Sequence, residues 1–185
     1  MEEAEIQRYV SELDMLSPMP SDEALEDDPD RIERYTVILH ALSPMRETGG
    51  QLDCRIVAAL INSFGPGDGF ESYWSTVHLI EASQCAETYH VIERSLVTGP
   101  SGVRKWCCLL LGRTRNPTIL GLLIARLDDA DPVVVYEALG AIRKIGCDHP
   151  IVAARAPVAA LTTHPNPEIV SAAQETLATI DKRES

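Results

Sequence analysis

The stretch Asp131-Pro132-Val133-Val134-Val135-Tyr136-Glu137-Ala138-Leu139-Gly140-Ala141-Ile142-Arg143-Lys144-Ile145-Gly146 carries a start, a face and a stop. Asp131 is suited to cap a helix, and Pro132 to its first turn, where an N–H has no partner to lose. Val134, Ala138, Leu139, Ile142 and Ile145 recur three and four apart, so they share one face. Gly146 predicts a left-handed C-terminal cap. The stretch reads as one amphipathic helix.

Its pattern recurs. Val103, Cys107, Leu110 and Leu111 precede Val134, Ala138, Ala141 and Ile142 by 31 residues, and Ile169, Ala173, Thr176 and Leu177 follow by 35. Pro100, Pro132 and Pro167 open the three copies. Second helices lie between them. Asn116-Pro117 leads to Ile119, Leu120, Leu123 and Leu127, and Asp148-His149-Pro150 leads to Ile151, Val152, Val158 and Leu161. Pro157 predicts a kink or a split in the latter. A helix–turn–helix unit of this size cannot bury its apolar face alone, so neighbouring units must stack.

Leu127-Asp128-Asp129-Ala130-Asp131-Pro132-Val133-Val134, with Ala138-Leu139 and Ile145-Gly146, resembles a HEAT repeat of the short bacterial type. So does Val103-Arg104 followed by Leu111-Gly112. The resemblance covers about residues 99–181, extends weakly to 70–98, and reaches 31–64 only by helical pattern. It departs from the family at Val135, where an Arg is common, and at Pro157. It implies an all-α protein: a short right-handed α-solenoid of HEAT-like helical hairpins with a helical N-terminal segment. Such solenoids are generally protein-binding scaffolds, and the fold implies no particular activity. The expected organisation is an acidic segment at 1–30, helical hairpins at 31–98 and HEAT-like repeats at 99–185, with 31–185 continuous.

Upstream of the repeats, residues 3–15 predict a helix with Ile6, Tyr9, Val10 and Leu13 on one face, broken at Ser17-Pro18-Met19-Pro20. Arg31 to Leu42 follows, with Ile32, Tyr35, Ile38, Leu39 and Leu42 as its stripe. Ser43-Pro44 and Gly49-Gly50 are expected to bracket a loop, and Leu52 to Phe64 to form the next helix. Gly65-Pro66-Gly67-Asp68-Gly69 invites comparison with a phosphate loop. No Lys-Ser or Lys-Thr follows, however, and a helix rather than a strand precedes it, so a plain turn is expected. Phe70 to Ala82 and Ala86 to Val97 complete the helices.

Hydrophobic content of 45% with 5% aromatics suits a helical core of Leu, Ile, Val and Ala. No apolar run reaches the length of a membrane span. Met1-Glu2-Glu3-Ala4-Glu5 has neither the basic nor the apolar region of a secretory signal. Five cysteines, at 54, 85, 107, 108 and 147, are odd in number and lack CxxC spacing. Reduced, mostly buried thiols and a cytoplasmic location are expected. The net charge of -12 is uneven: residues 1–30 hold eleven acids and one base, Arg8, whereas 31–185 hold seventeen and fifteen. A nucleic-acid binder would show the opposite sign. Two readings of the acidic segment stand, a solvated and partly disordered tail or an arm that meets a basic partner. On the second, Glu12, Asp14, Asp22, Glu23, Glu26, Asp27, Asp28 and Asp30 are the candidate contacts.

The sharpest enzymatic alternative is a metal site. His78 and Glu81, and His90 and Glu93, are each three apart on predicted antiparallel helices, where they can share a face. Carboxylate-bridged iron proteins usually place the Glu first and add further carboxylates. Two polar pairs on an amphipathic surface are the simpler account, and neither metal nor cofactor is expected. Arg113, Arg115, Arg143 and Lys144 suit the ends of first helices, where cations favour the helix dipole, and would line one edge. A basic face around Arg94, Arg104 and Arg126 would mark a nucleic-acid function instead. The expected function is a non-enzymatic binding module, monomeric or dimeric. By build, size and charge it is similar in kind to immunity proteins that neutralise bacterial toxins. A general adaptor fits the same residues, and a metal-dependent HEAT-like enzyme is the remaining alternative.

Overall fold

The computed structural model describes residues 1–47, 50–83 and 86–184. Every regular element among them is helical, as expected of an all-α protein. None of the described helices is long and apolar enough to cross a membrane. The chain divides into two compact units, Met1–Val103 and Arg104–Ser185.

The first unit holds α1 (Glu3–Leu16), α2 (Asp22–Glu26), α3 (Pro29–Glu47), α4 (Cys54–Ser63), α5 (Ser72–Ala82), α6 (Ala86–Thr98) and the first turn of α7 (Ser101–Thr114). α1 packs on α3 and α4, α4 on α6, and α3 on α2 and α5. Spacing dictates these contacts. Ile6, Tyr9, Leu13 and Leu16 of α1 are buried, as are Tyr35, Ile38, Leu39 and Leu42 of α3 and Ile56, Val57, Leu60 and Ile61 of α4. Each such aliphatic side chain contributes about 1.5–3 kcal/mol by leaving water. Tyr73 stands edge-on to Tyr35 at 5.9 Å and to Phe64 at 5.3 Å. The Tyr35 hydroxyl lies 2.7 Å from that of Thr76 and accepts the Ser63 hydroxyl at 3.0 Å. Burial pushes the Tyr35 phenol up to about 12 against the pull of both hydrogen bonds.

The acidic segment is anchored to this unit. Beyond α1, Met19 and Leu25 are buried, and Met19 donates its N–H to the Ser63 carbonyl at 3.1 Å. Arg31 donates to the Leu16 carbonyl at 2.8 Å, satisfying a helix-end acceptor that would otherwise lack a partner. The glycine-rich stretch is the expected turn, but its glycines serve close approach. A Cβ on Gly67 would lie 2.2 Å from the Asp22 carboxylate oxygens, and Gly69 has φ of 61°.

The helix expected from Phe70 begins at Ser72, with Phe70 and Glu71 left-handed before it, and the end of α3 departs further from expectation. α3 continues through Ser43 and Pro44 to Glu47. Pro44 removes only the hydrogen bond to the carbonyl four residues back, on a face where His40 and Pro44 are both exposed to water. The Gly49 side of the expected loop lies outside the described residues, as does Cys85.

The second unit takes the rest of α7, then α8 (Leu120–Ile124), α9 (Pro132–Gly146), α10 (Arg155–Ala160) and α11 (Pro167–Glu184). α9 packs on α8 and α11, and α10 on α11. Val134, Ala138, Leu139, Ile142 and Ile145 are all buried, and Asp131 accepts the Val133 N–H at 2.9 Å. The repeat is visible in three dimensions. The corresponding Cys107, Ala138 and Ala173 are fully buried, and an added Cβ on Gly112 would lie 2.7 Å from Cα of Ala141.

α8 and α10 are short α-turns flanked by 3-10 turns, Pro117–Ile119 and Ala125–Asp128 for the first and Val152–Ala154 and Leu161–Thr163 for the second. The split at Pro157 was expected, but the same division in α8 occurs without an internal proline. Pro157 sits in the first turn of α10, where its missing N–H costs little. The predicted left-handed cap at Gly146 does not form. Gly146 stays helical, and Cys147 after it is right-handed at φ -62°. A Cβ on Gly146 would lie 2.6 Å from Cδ1 of Ile151, so packing rather than backbone conformation calls for glycine there.

Candidate functional site

Charge separates along the same division as the fold. Met1–Val103 holds nineteen acids and six bases, a net of -13, and Arg104–Ser185 holds nine and ten, a net of +1. The first unit therefore presents the strongest field for a partner.

α1 and α3 border a groove of about 440 Å3 on that unit, lined by Glu12, Met15, Glu33, Arg34, Val37 and Ile38. Ile38 is buried, whereas Met15 and Val37 are 62% and 61% exposed. These two lie off the apolar stripes of their helices. The stripes of α1 and α3 face inward, and three- and four-residue spacing sets Glu12 beside Met15 and Glu33 beside Val37 on the outside.

Of the acids expected to meet a partner, Glu12 is half-buried in this groove, and Asp14, Glu23, Glu26, Asp27, Asp28 and Asp30 are exposed. Asp22 is different. Its carboxylate accepts the N–H groups of Asp68 at 3.0 Å and Gly69 at 2.9 Å, so its hydrogen-bonding capacity serves the fold. The sequence reading passed over Met15, Glu33, Arg34 and Val37. The available signal was an apolar residue off each stripe, which a helical projection of α1 and α3 displays.

The two His–Glu pairs form separately. Nδ1 of His78 lies 3.4 Å from Oε2 of Glu81, and Nδ1 of His90 lies 3.6 Å from Oε2 of Glu93. The four do not converge: among the described residues no group of three or more His, Cys, Asp or Glu is placed to hold a metal. Each pair is a local contact on an amphipathic helix.

Five arginines of the second unit, Arg104, Arg115, Arg126, Arg143 and Arg155, pair with acids of the same unit. Arg104 grips Asp129 through two bonds of 2.7 and 2.8 Å, with Arg126 at 3.8 Å from the same carboxylate. Burial acts to raise the Asp129 carboxyl. The Arg104 bonds, the Asp131 N–H and the charges of both arginines outweigh it and hold the group below the usual carboxylate range. Arg115 pairs with Asp148 at 2.9 Å, and Arg143 pairs with Glu175. Both arginine side chains stay exposed at the surface, and each carries its own acidic partner. A cleft of about 500 Å3 between α9 and α11 includes Tyr136, Glu137, Arg143, Lys144 and Glu175. Its acids and bases nearly balance.

Cys107 and Cys108 are buried, and burial raises both thiols far from the range of a reactive thiolate. Cys54 and Cys147 are exposed, so the expectation of mostly buried thiols holds for only half of the described cysteines. Trp106 is a core residue, and Trp74 is 40% exposed.

The helical repeats have a counterpart among known families. Residues 92–178 match a family model described as HEAT repeats, a span just under half of the chain. A designed armadillo repeat protein, solved in complex with the peptide (KR)4, is similar at 20% identity over 82% of this chain and 68% of that one, with a TM-score of 0.46. No curated protein matches the chain. Helical repeats of this kind present extended surfaces used to bind other proteins. The chain is an all-α protein with HEAT-like repeats over residues 92–178.

Proposed function

We propose that the chain is a non-enzymatic protein-binding module whose acidic first unit recognises one basic partner, and that it serves as an immunity protein neutralising a bacterial toxin. The observation that carries this reading is the charge separation: a net of -13 in Met1–Val103 against +1 in Arg104–Ser185. An acidic surface of that strength steers a basic partner toward it and disfavours acidic competitors. Exposed Asp14, Glu23, Glu26, Asp27, Asp28 and Asp30 are available for this at no cost in desolvated structure. Free thiols at Cys54, Cys107, Cys108 and Cys147 suit a reducing, cytoplasmic setting.

The test is affinity capture from the source organism at moderate salt, followed by co-expression. A single stoichiometric basic partner, toxic alone and harmless when the chain is co-expressed, is the expected result. Many partners of mixed charge, or a toxic partner whose effect the chain leaves unchanged, would overturn the immunity reading in favour of an adaptor.

A further inference from the structure

We infer that the α1/α3 groove docks an amphipathic basic segment of the partner, with an aliphatic side chain seated between Met15 and Val37 and lysine or arginine groups meeting Glu12 and Glu33. This rests on the basic-partner reading above and adds the place and the form of recognition.

Met15 and Val37 are the two most exposed large hydrophobic side chains among the described residues. They line one groove, whose floor is the buried Ile38. Single exposed apolar residues are ordinary, but two lining one concavity mark a surface that gains by being covered. A volume of about 440 Å3 admits a few side chains of one segment rather than a folded domain. The lining holds two carboxylates and one cation, Arg34, on a unit of net charge -13. Charge therefore selects the occupant. A second copy of this unit would bring like charge onto like charge, whereas a segment with lysines beside its aliphatic face complements both the groove and its surroundings. Helix-in-groove recognition reads anchors three and four residues apart on the docked segment, and each wall offers an acid beside an apolar residue at such a spacing, Glu12 with Met15 on α1 and Glu33 with Val37 on α3.

The experiment titrates the full chain with three probes, following amide NMR shifts and binding heat. They are a synthetic amphipathic helix with leucines on one face and lysines on the other, the same helix with glutamates for lysines, and soluble polylysine. The expected result is that the leucine–lysine helix binds tightest and shifts amides of residues 8–16 and 30–41, while the leucine–glutamate helix does not bind. Replacing Met15→Ser and Val37→Ser together, at sites exposed enough to leave the fold intact, should weaken the leucine–lysine helix about tenfold and leave polylysine unchanged. Equal binding of that helix by the double variant and the wild type overturns the groove assignment, even if polylysine still binds. Failure of both lysine probes overturns the groove and the basic-partner reading together.

Discussion

Asp22 accepts the Gly69 N–H at 2.9 Å, so a residue of the acidic segment is anchored by the glycine-rich turn. The turn has the backbone donors that make such loops attractive to anions, and the anion it holds is its own chain's carboxylate. Replacing Asp22→Ala leaves the amides of Asp68 and Gly69 without this partner. It should cost about 1–3 kcal/mol, read from the denaturation midpoint, with Asp22→Asn costing less because one acceptor oxygen survives. Wild-type stability in both variants would show that the segment is held by its apolar contacts alone.

The Arg104–Asp129 pair should control the acid limb of stability. Asp129 retains only 4% of its side-chain exposure, and its carboxyl lies below its unfolded value of 3.8. The stabilisation is therefore fully present above pH 3.8 and disappears as pH falls through the lower folded value. Asp129→Asn should destabilise the protein at neutral pH by about 3 kcal/mol, because Arg104 and Arg126 lose their shared counter-charge. It should also flatten the loss of stability below pH 3.8. Parallel stability–pH curves for variant and wild type would contradict the assignment.

Two glycines of successive repeats predict opposite signs. A Cβ at Gly112 would stand 2.7 Å from Cα of Ala141, whereas at Gly140 it would meet nothing within 4 Å. Gly112→Ala should destabilise the second unit by about 1–3 kcal/mol through overpacking, against its own gain in helix propensity. Gly140→Ala should stabilise it by about 0.5–1 kcal/mol, since only the backbone entropy changes. Thermal melts of the two variants distinguish packing from propensity directly.

The contrast between these sites shows what can be read from a sequence. The cap at Asp131, the first-turn proline and the stripe from Val134 to Ile145 are properties of adjacent residues, and all take their expected places. Contacts across long separations left weaker traces. Nothing beside Asp22 announces a bond to Gly69, and nothing in α1 alone shows that Met15 will share a groove with Val37. Gly146 was legible as a glycine with a purpose, but the purpose is proximity to Ile151. The His–Glu pairs were legible as pairs, because three-residue spacing is local. Whether the two pairs converge depends on the placement of two helices in space, which spacing within each helix does not determine.

The most direct test of the central claim is the rate at which the captured partner associates with the chain as ionic strength rises. It is compared between wild type and a variant with Glu23, Glu26, Asp27, Asp28 and Asp30 changed to Gln or Asn. These acids are exposed, so the fold should survive the change. The account predicts a steep fall of the wild-type rate with salt and a slower, flatter profile for the variant, with dissociation little altered. Identical rates and identical salt dependence in the two proteins would contradict it.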